Sequence, residues 1–224
     1  MHTFSINGKT ISVFSNGGPE APMIYLNTYL NEGKQIFEAL RKANCPPFTL
    51  VAISNLDWNR DMVPWDSPPV FRNAEPFTGG ADAYLRLLTE TIIPEVEQQI
   101  SAKPQWRGIA GYSLAGLFAL YAICQTEAFP RAGSISGSLW FPEAKEYIFS
   151  HQETHTPDCV YLSLGDKESK TRNPILSTVQ KQTEEIHAFY QSRQVDTVFQ
   201  LNPGNHNSQP AQRTAAGIAW MLSR

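Results

Sequence analysis

Trp106-Arg107-Gly108-Ile109-Ala110-Gly111-Tyr112-Ser113-Leu114-Ala115-Gly116-Leu117-Phe118-Ala119-Leu120-Tyr121-Ala122-Ile123-Cys124 is the stretch on which the reading of this chain turns. Trp106 to Gly111 has the length and apolar character of a buried strand, and Leu114 to Cys124 is a longer apolar run that suits a buried helix. At the junction stands Ser113, with Gly111 two residues before it and Ala115 two after. Small residues at those offsets let a strand and the following helix cross closely, and a serine at the apex projects its hydroxyl beyond the sheet. The five-residue string also fits a serine that merely caps a helix. A strand before it and a helix after it are what point to a nucleophile elbow.

Outward from this junction the chain keeps the same rhythm. Phe4, Ile6, Ile11 and Val13 alternate around Asn7-Gly8, a hairpin signal, and the cluster Asn16-Gly17-Gly18-Pro19 ends it. Met23 to Leu26 then reads as a strand, Lys34 to Lys42 as a helix, Phe48 to Ser54 as a strand and Ala81 to Ile100 as a helix. After the elbow come strands over Ala132 to Ser136, Val160 to Leu164 and Thr197 to Leu201, with helices over Pro174 to Gln191 and Gln212 to Leu222. Strands alternating with helices predict an α/β fold in three layers, a mostly parallel central sheet with helices on both faces. Ligands in such sheets bind beyond the carboxyl ends of the strands. One loop at that edge is long: residues 55–80 hold four prolines together with Trp58, Trp65, Phe71 and Phe77, the composition of a binding loop or of a loop pinned to the body by its aromatics.

The 224 residues carry 18 Lys+Arg and 21 Asp+Glu, a net charge of -3, and 42% are hydrophobic. With no linker-like shift in composition, the expectation is a single domain over residues 1–224. No clustered basic face is present for phosphate neutralisation, so no nucleic-acid partner is expected. No apolar stretch approaches the ~20 residues that span a bilayer, and the first residues lack an apolar signal core, so the expectation is a cytoplasmic protein without a membrane partner. Cys45, Cys124 and Cys159 form neither a C-x-x-C pair nor a disulfide framework and read as reduced, mostly buried thiols.

A serine hydroxyl needs a base in contact and a third group to orient that base. Among five histidines, His2, His151, His155 and His187 do not follow a strand; His206 does, in the loop after the last strand, Pro203-Gly204-Asn205-His206. His151 and His155 stand four apart, a metal spacing, but lack the adjacent Glu of H-E-x-x-H and a third ligand, and no metal is expected. The acid should come from Gly165-Asp166-Lys167-Glu168, which follows Val160 to Leu164. The order serine, acid, histidine is that of α/β-hydrolases. An acid three residues beyond the strand-ending Gly favours Glu168, with Asp166 second. Backbone N–H of Leu114 and of Thr28 or Tyr29, in the loop after the first parallel strand, are the expected oxyanion donors. Tyr112, Trp58 and Trp65 are the expected substrate contacts from the elbow and the long loop.

Gly-Tyr-Ser-Leu-Ala-Gly-Leu-Phe-Ala-Leu-Tyr-Ala at 111–122, Ser-Ile-Ser-Gly-Ser-Leu-Trp-Phe at 134–141, Leu-Gly-Asp-Lys-Glu at 164–168 and Pro-Gly-Asn-His at 203–206 together resemble the esterase branch of the α/β-hydrolases, which includes enterochelin esterase-like and trilactone esterases, S-formylglutathione hydrolase and feruloyl esterases. The resemblance implies the α/β-hydrolase fold, Ser113 as nucleophile, His206 as base, and Glu168 or Asp166 as acid. It also implies that Ser138 and Trp140 lie near the substrate. The chain departs from the pattern in having Ala115 where most members have Gly, and it lacks a basic cluster suited to an iron-catecholate. The function expected is hydrolysis of a small-molecule ester or thioester through an acyl-enzyme, without a cofactor. An acyltransferase with the same triad and a non-catalytic binding protein on this fold are the alternatives, and the sequence leaves oligomeric state open.

Overall fold

A computed structural model describes residues 2–151 and 156–224. The elements run β1 (His2–Ile6), β2 (Lys9–Ser15), β3 (Met23–Asn27), α1 (Gly33–Lys42), β4 (Thr49–Ser54), α2 (Trp58–Asp61), β5 (Asp66–Ser67), β6 (Phe77–Thr78), α3 (Ala81–Leu87), α4 (Ile93–Gln99), β7 (Arg107–Tyr112), α5 (Leu114–Gln125), β8 (Arg131–Ile135), α6 (Ala144–Ser150), β9 (Cys159–Gly165), α7 (Val179–Ser192), β10 (Asp196–Asn202) and α8 (Pro210–Leu222). The sheet has eight strands in the order β1-β2-β4-β3-β7-β8-β9-β10. From β4 to β10 every pairing is parallel, while the β1–β2 hairpin is antiparallel and joins β4 antiparallel. Asn7 and Gly8 both take positive φ, 46° and 77°, as a two-residue turn with the twist of its strands requires.

Side-chain alternation in the parallel strands explains the three layers. Tyr25, Val51 and Ile109 point into one core with residues of α3, α4, α5 and α7; Ile24, Leu26, Leu50, Ala52 and Ala110 point into the other with Ile36, Phe37 and Leu40 of α1 and Ile218 and Met221 of α8. Strands covered on both faces need no polar face, so β3 and β4 are buried along their whole length. The chain steps from β3 to β4 on one side and then crosses to β7 on the other, which makes the carboxyl ends of β3 and β7 the switch point where such sheets bind ligands.

Two expected helices are modified. Ala81 to Ile100 is interrupted by a π turn at Leu88–Ile92, because Pro94 has no N–H to return to the carbonyl of Glu90 and its ring crowds that carbonyl. Pro174 to Gln191 begins as a 3-10 turn, Leu176–Thr178, because the Asn173 carboxamide oxygen accepts the N–H groups of Ile175 and Leu176 and caps a turn before α7 starts. The 55–80 loop holds α2 and the small β5–β6 pair. Among the described residues, Cys45, Cys124 and Cys159 are not joined by a disulfide. Among the described residues no helix is long and apolar enough to cross a membrane.

Candidate active site

Ser113 sits at φ 60°, ψ -124°, a backbone conformation that a side chain normally avoids. Three sets of contacts hold it there. The Ser113 N–H donates to Ile135 O on β8 at 3.1 Å, and the Ser113 carbonyl accepts N–H bonds from Gly116, Leu117 and Ser138. The strand and helix also meet too closely for larger residues. A Cβ on Gly111 would lie 2.4 Å from the Ala115 carbonyl carbon, oxygen and Cβ. Gly111→Ala is therefore expected to lower unfolding free energy by about 1–3 kcal/mol in a denaturant titration and to displace the Ser113 hydroxyl, because relief of the clash moves the elbow. Ala115, fully buried, is tolerated where glycine is commoner because its methyl still clears Gly111.

His206 Nε2 lies 3.0 Å from Ser113 Oγ, and His206 Nδ1 lies 2.7 Å from Glu168 Oε2. An ionised carboxylate only accepts, so Nδ1 carries the proton and Nε2 presents its lone pair to the serine hydroxyl. The histidine side chain is 41% exposed and Glu168 only 5%. Burial pushes the Glu168 carboxyl up, but the hydrogen bond and charge of His206, the Gly165 N–H and Ser136 outweigh it and hold the group below its ordinary value. Glu168 Oε1 accepts from the Gly165 N–H at 2.6 Å and from Arg213 Nη1 at 3.2 Å.

Asp166 faces elsewhere. Its Oδ1 accepts the Gly204 N–H at 2.7 Å, and its own N–H donates to Asn202 O, so it braces the turn that carries His206. Gly204 adopts φ 105° in that turn, a value suited to glycine. Tyr112 reinforces it from below: its hydroxyl donates to the His206 carbonyl at 2.6 Å, and the two rings lie 5.3 Å apart. Burial raises the Tyr112 phenol, keeping it a proton donor to that carbonyl. Tyr112 also lines the cavity, with its hydroxyl committed to the His206 carbonyl.

Arg213, on α8, is a residue that the sequence reading missed. Its side chain is 4% exposed and its guanidinium donates to Glu168, to Ser136 Oγ at 3.2 Å and to Pro203 O at 2.8 Å. The available signal was its position: an arginine among Ala211, Thr214, Ala215 and Ile218 on the buried side of a helix is a charge that needs a partner. Arg213→Met leaves Glu168 buried with one cation fewer and is expected to cost about 3–5 kcal/mol of stability, read from urea unfolding at neutral pH.

A cavity of about 480 Å³ opens beside Ser113 and His206. Trp58 lines it and meets Tyr29 edge to face at 5.1 Å. Trp65, expected to contact substrate, does not line it: its indole N–H donates to Pro142 O and its ring packs on Phe141 and Tyr147, so it pins the long loop to the body. Trp140 likewise lies outside the cavity, packed on Phe77 and Phe141 as a half-buried core aromatic. Ser138 is buried beside Ser113, Oγ to Oγ 3.3 Å, without lining the cavity. Of the two candidate oxyanion amides in the loop after β3, Thr28 is spent, because its N–H donates to Ile53 O at 2.8 Å in continuation of the sheet. Tyr29 and Leu114 have no such commitment to a described residue. Leu114 opens α5, where the first N–H groups have no acceptor within the helix. His151 stacks on Tyr147 and His187 lies against Phe199, whereas His155 is outside the described residues.

The sequence profile of the Esterase family matches residues 26–213. An uncharacterized protein of Bacillus subtilis (strain 168), YbbA, is 28% identical over 170 residues, 71% of this chain and 68% of that protein. Among solved structures, the siderophore hydrolase EstA from Aspergillus nidulans superposes with a TM-score of 0.75 at 18% identity, covering 96% of this chain and 90% of that one. An IroE-like serine hydrolase from Shewanella oneidensis superposes with a TM-score of 0.77 at 18% identity, covering 96% and 75%. At such identities the superpositions speak for the fold, an α/β-hydrolase-like sheet flanked by helices.

Proposed function

The chain belongs to the Esterase family, and from that premise we propose that it is a serine carboxylic-ester hydrolase that works through an acyl-enzyme on Ser113. The observation that carries this reading is the unbroken series Ser113 Oγ, His206 Nε2 at 3.0 Å, then His206 Nδ1 and Glu168 Oε2 at 2.7 Å. Ser113 Oγ attacks the carbonyl carbon of an ester or thioester while His206 Nε2 takes its proton. Glu168 accepts Nδ1–H throughout and stabilises the imidazolium that forms. The oxyanion rests on the Leu114 and Tyr29 amides. His206 then protonates the departing alkoxide or thiolate, leaving the acyl group on Ser113. A water gives its proton to Nε2 and attacks the acyl carbon, and collapse of that second intermediate returns the proton to Ser113 and releases the acid.

The exposure of His206 supports water as the second nucleophile, since bulk solvent reaches the base. The test is an acid quench during turnover of p-nitrophenyl acetate, followed by peptide mapping. An acetyl group on the Ser113 peptide is the expected result. Turnover through Ser113 with no acyl adduct at any quench time, and no nucleophile-dependent partitioning, would contradict a covalent route.

A further inference from the structure

We propose that Glu32 sets the substrate class of this site: the cavity takes esters whose bound part is apolar and neutral or cationic, and disfavours esters that carry an anionic group there. The inference rests on the reading of Ser113 as nucleophile. Its basis is the charge inventory of the cavity beside Ser113. Leu26, Ile36, Trp58 and Ala211 give it apolar walls. The hydroxyls of Thr28 and Thr214 are used up, donating to Ile53 O at 2.9 Å and Pro210 O at 2.8 Å. Apart from His206 and the phenols of Tyr29 and Tyr112, Glu32 is the one ionisable side chain among the described lining residues, and the one carboxylate; no Lys or Arg is among them. Arg213 is withdrawn beneath Glu168, Ser136 and Pro203.

Glu32 is half-buried and forms no ion pair among the described residues. Its Oε2 accepts the Leu30 N–H at 3.1 Å, which fixes the carboxylate in the loop between β3 and α1, and Oε1 makes no hydrogen bond to a described residue. A half-buried carboxylate held by a backbone hydrogen bond, with no ion pair among the described residues and apolar walls beside it, acts through a lower effective dielectric than water and attracts a cation or repels an anion. An acid preceding Gly33–Lys42 also favours the helix N-terminus. That role is indifferent to substrate charge, which separates it from the proposal.

The test uses p-nitrophenyl esters of matched acyl length ending in a methyl, a trimethylammonium or a carboxylate group, and a second set with the same three ends on the alcohol. In at least one set the wild-type kcat/KM is expected to favour the cationic over the anionic ester by about 100-fold at low salt, roughly tenfold on each side of the neutral ester, and less at ~0.5 M salt. Glu32→Gln keeps the acceptor for the Leu30 N–H and is expected to shrink that ratio to a few-fold. Reading the ratio cancels any change in basal rate, and the wild-type salt dependence needs no variant. Turnover of the neutral ester with the ratio equal in wild type and Glu32→Gln, or with the anionic ester preferred, overturns the proposal alone. Failure of wild type to turn over any ester or to form a Ser113 adduct overturns the nucleophile assignment, and this proposal with it.

Discussion

Ser113→Ala is expected to lower kcat toward a short-chain ester by on the order of 10⁴- to 10⁶-fold while leaving the unfolding midpoint nearly unchanged. Activity falls so far because, in the proposed mechanism, Oγ is the atom that forms the covalent bond, whereas the cavity, the elbow and the proposed oxyanion amides stay. Stability barely moves because the interactions that hold position 113 at positive φ are backbone bonds: its N–H to Ile135 and its carbonyl to Gly116, Leu117 and Ser138. Alanine keeps all of them. The paired measurement is steady-state hydrolysis and thermal unfolding of the same preparation, and a loss of less than about 100-fold in a folded Ser113→Ala protein would remove Ser113 from the chemistry.

Glu168→Gln is expected to lower kcat by on the order of 10³- to 10⁴-fold, the scale at which a triad loses function when its histidine is held in the wrong tautomer. The carboxamide turns a donor toward Nδ1, which then presents its lone pair and leaves the proton on Nε2, where it opposes the serine hydroxyl. The same change removes the counter-charge of buried Arg213. Because the Glu168 carboxyl is held below its ordinary value in the folded chain, its contribution to stability is fully present above the unfolded carboxyl pKa of about 4.3 and is lost as pH falls through the lower folded value. Stability curves of wild type and Glu168→Gln should therefore run apart from neutrality down to that region and converge below it. Asp166→Ala should leave kcat within a few-fold and cost about 1 kcal/mol, since Asp166 accepts one N–H from the turn before His206 and touches neither ring nitrogen. Equal losses of kcat in the two variants would contradict the assignment of the acid.

Much of the fold was legible because parallel strands covered on both faces must be apolar runs, and Met23 to Leu26 and Phe48 to Ser54 are such runs, separated by the amphipathic stretch 34–42. The elbow was legible for a steric reason, the close crossing at Gly111 and Ala115. Chain order and places just after strands pointed to His206 and Glu168, the side chains that form a hydrogen-bonded series with Ser113 in the fold. What escaped depends on register and on distant packing. Whether Thr28 or Tyr29 has an uncommitted amide is decided by how far β3 pairs with β4, and the Thr28 N–H turns out to extend that ladder to Ile53. Trp58 and Trp65 look alike in a proline-rich loop, yet one lines the cavity and the other bonds to Pro142 in the segment between β8 and α6. Arg213 lies 45 residues after Glu168 in sequence, and only the approach of α8 to the end of β9 joins them.

Glu32 shows the same limit from another side. An acid just before a helix is ordinary in sequence, and its meaning as the charge of a cavity emerges only when Leu26, Trp58 and Ala211 are seen around it with no cation among them.

The central claim, a serine at position 113 activated by His206, is tested most directly by labelling with a fluorophosphonate probe and mapping the modified peptide. The expected result is a single adduct on Ser113 in the wild type, none in Ser113→Ala, and labelling slowed by on the order of 10²- to 10⁴-fold in His206→Ala, the contribution of a positioned general base. An adduct on Ser138, whose hydroxyl lies 3.3 Å away, or labelling of Ser113 at an unchanged rate without His206, would contradict it.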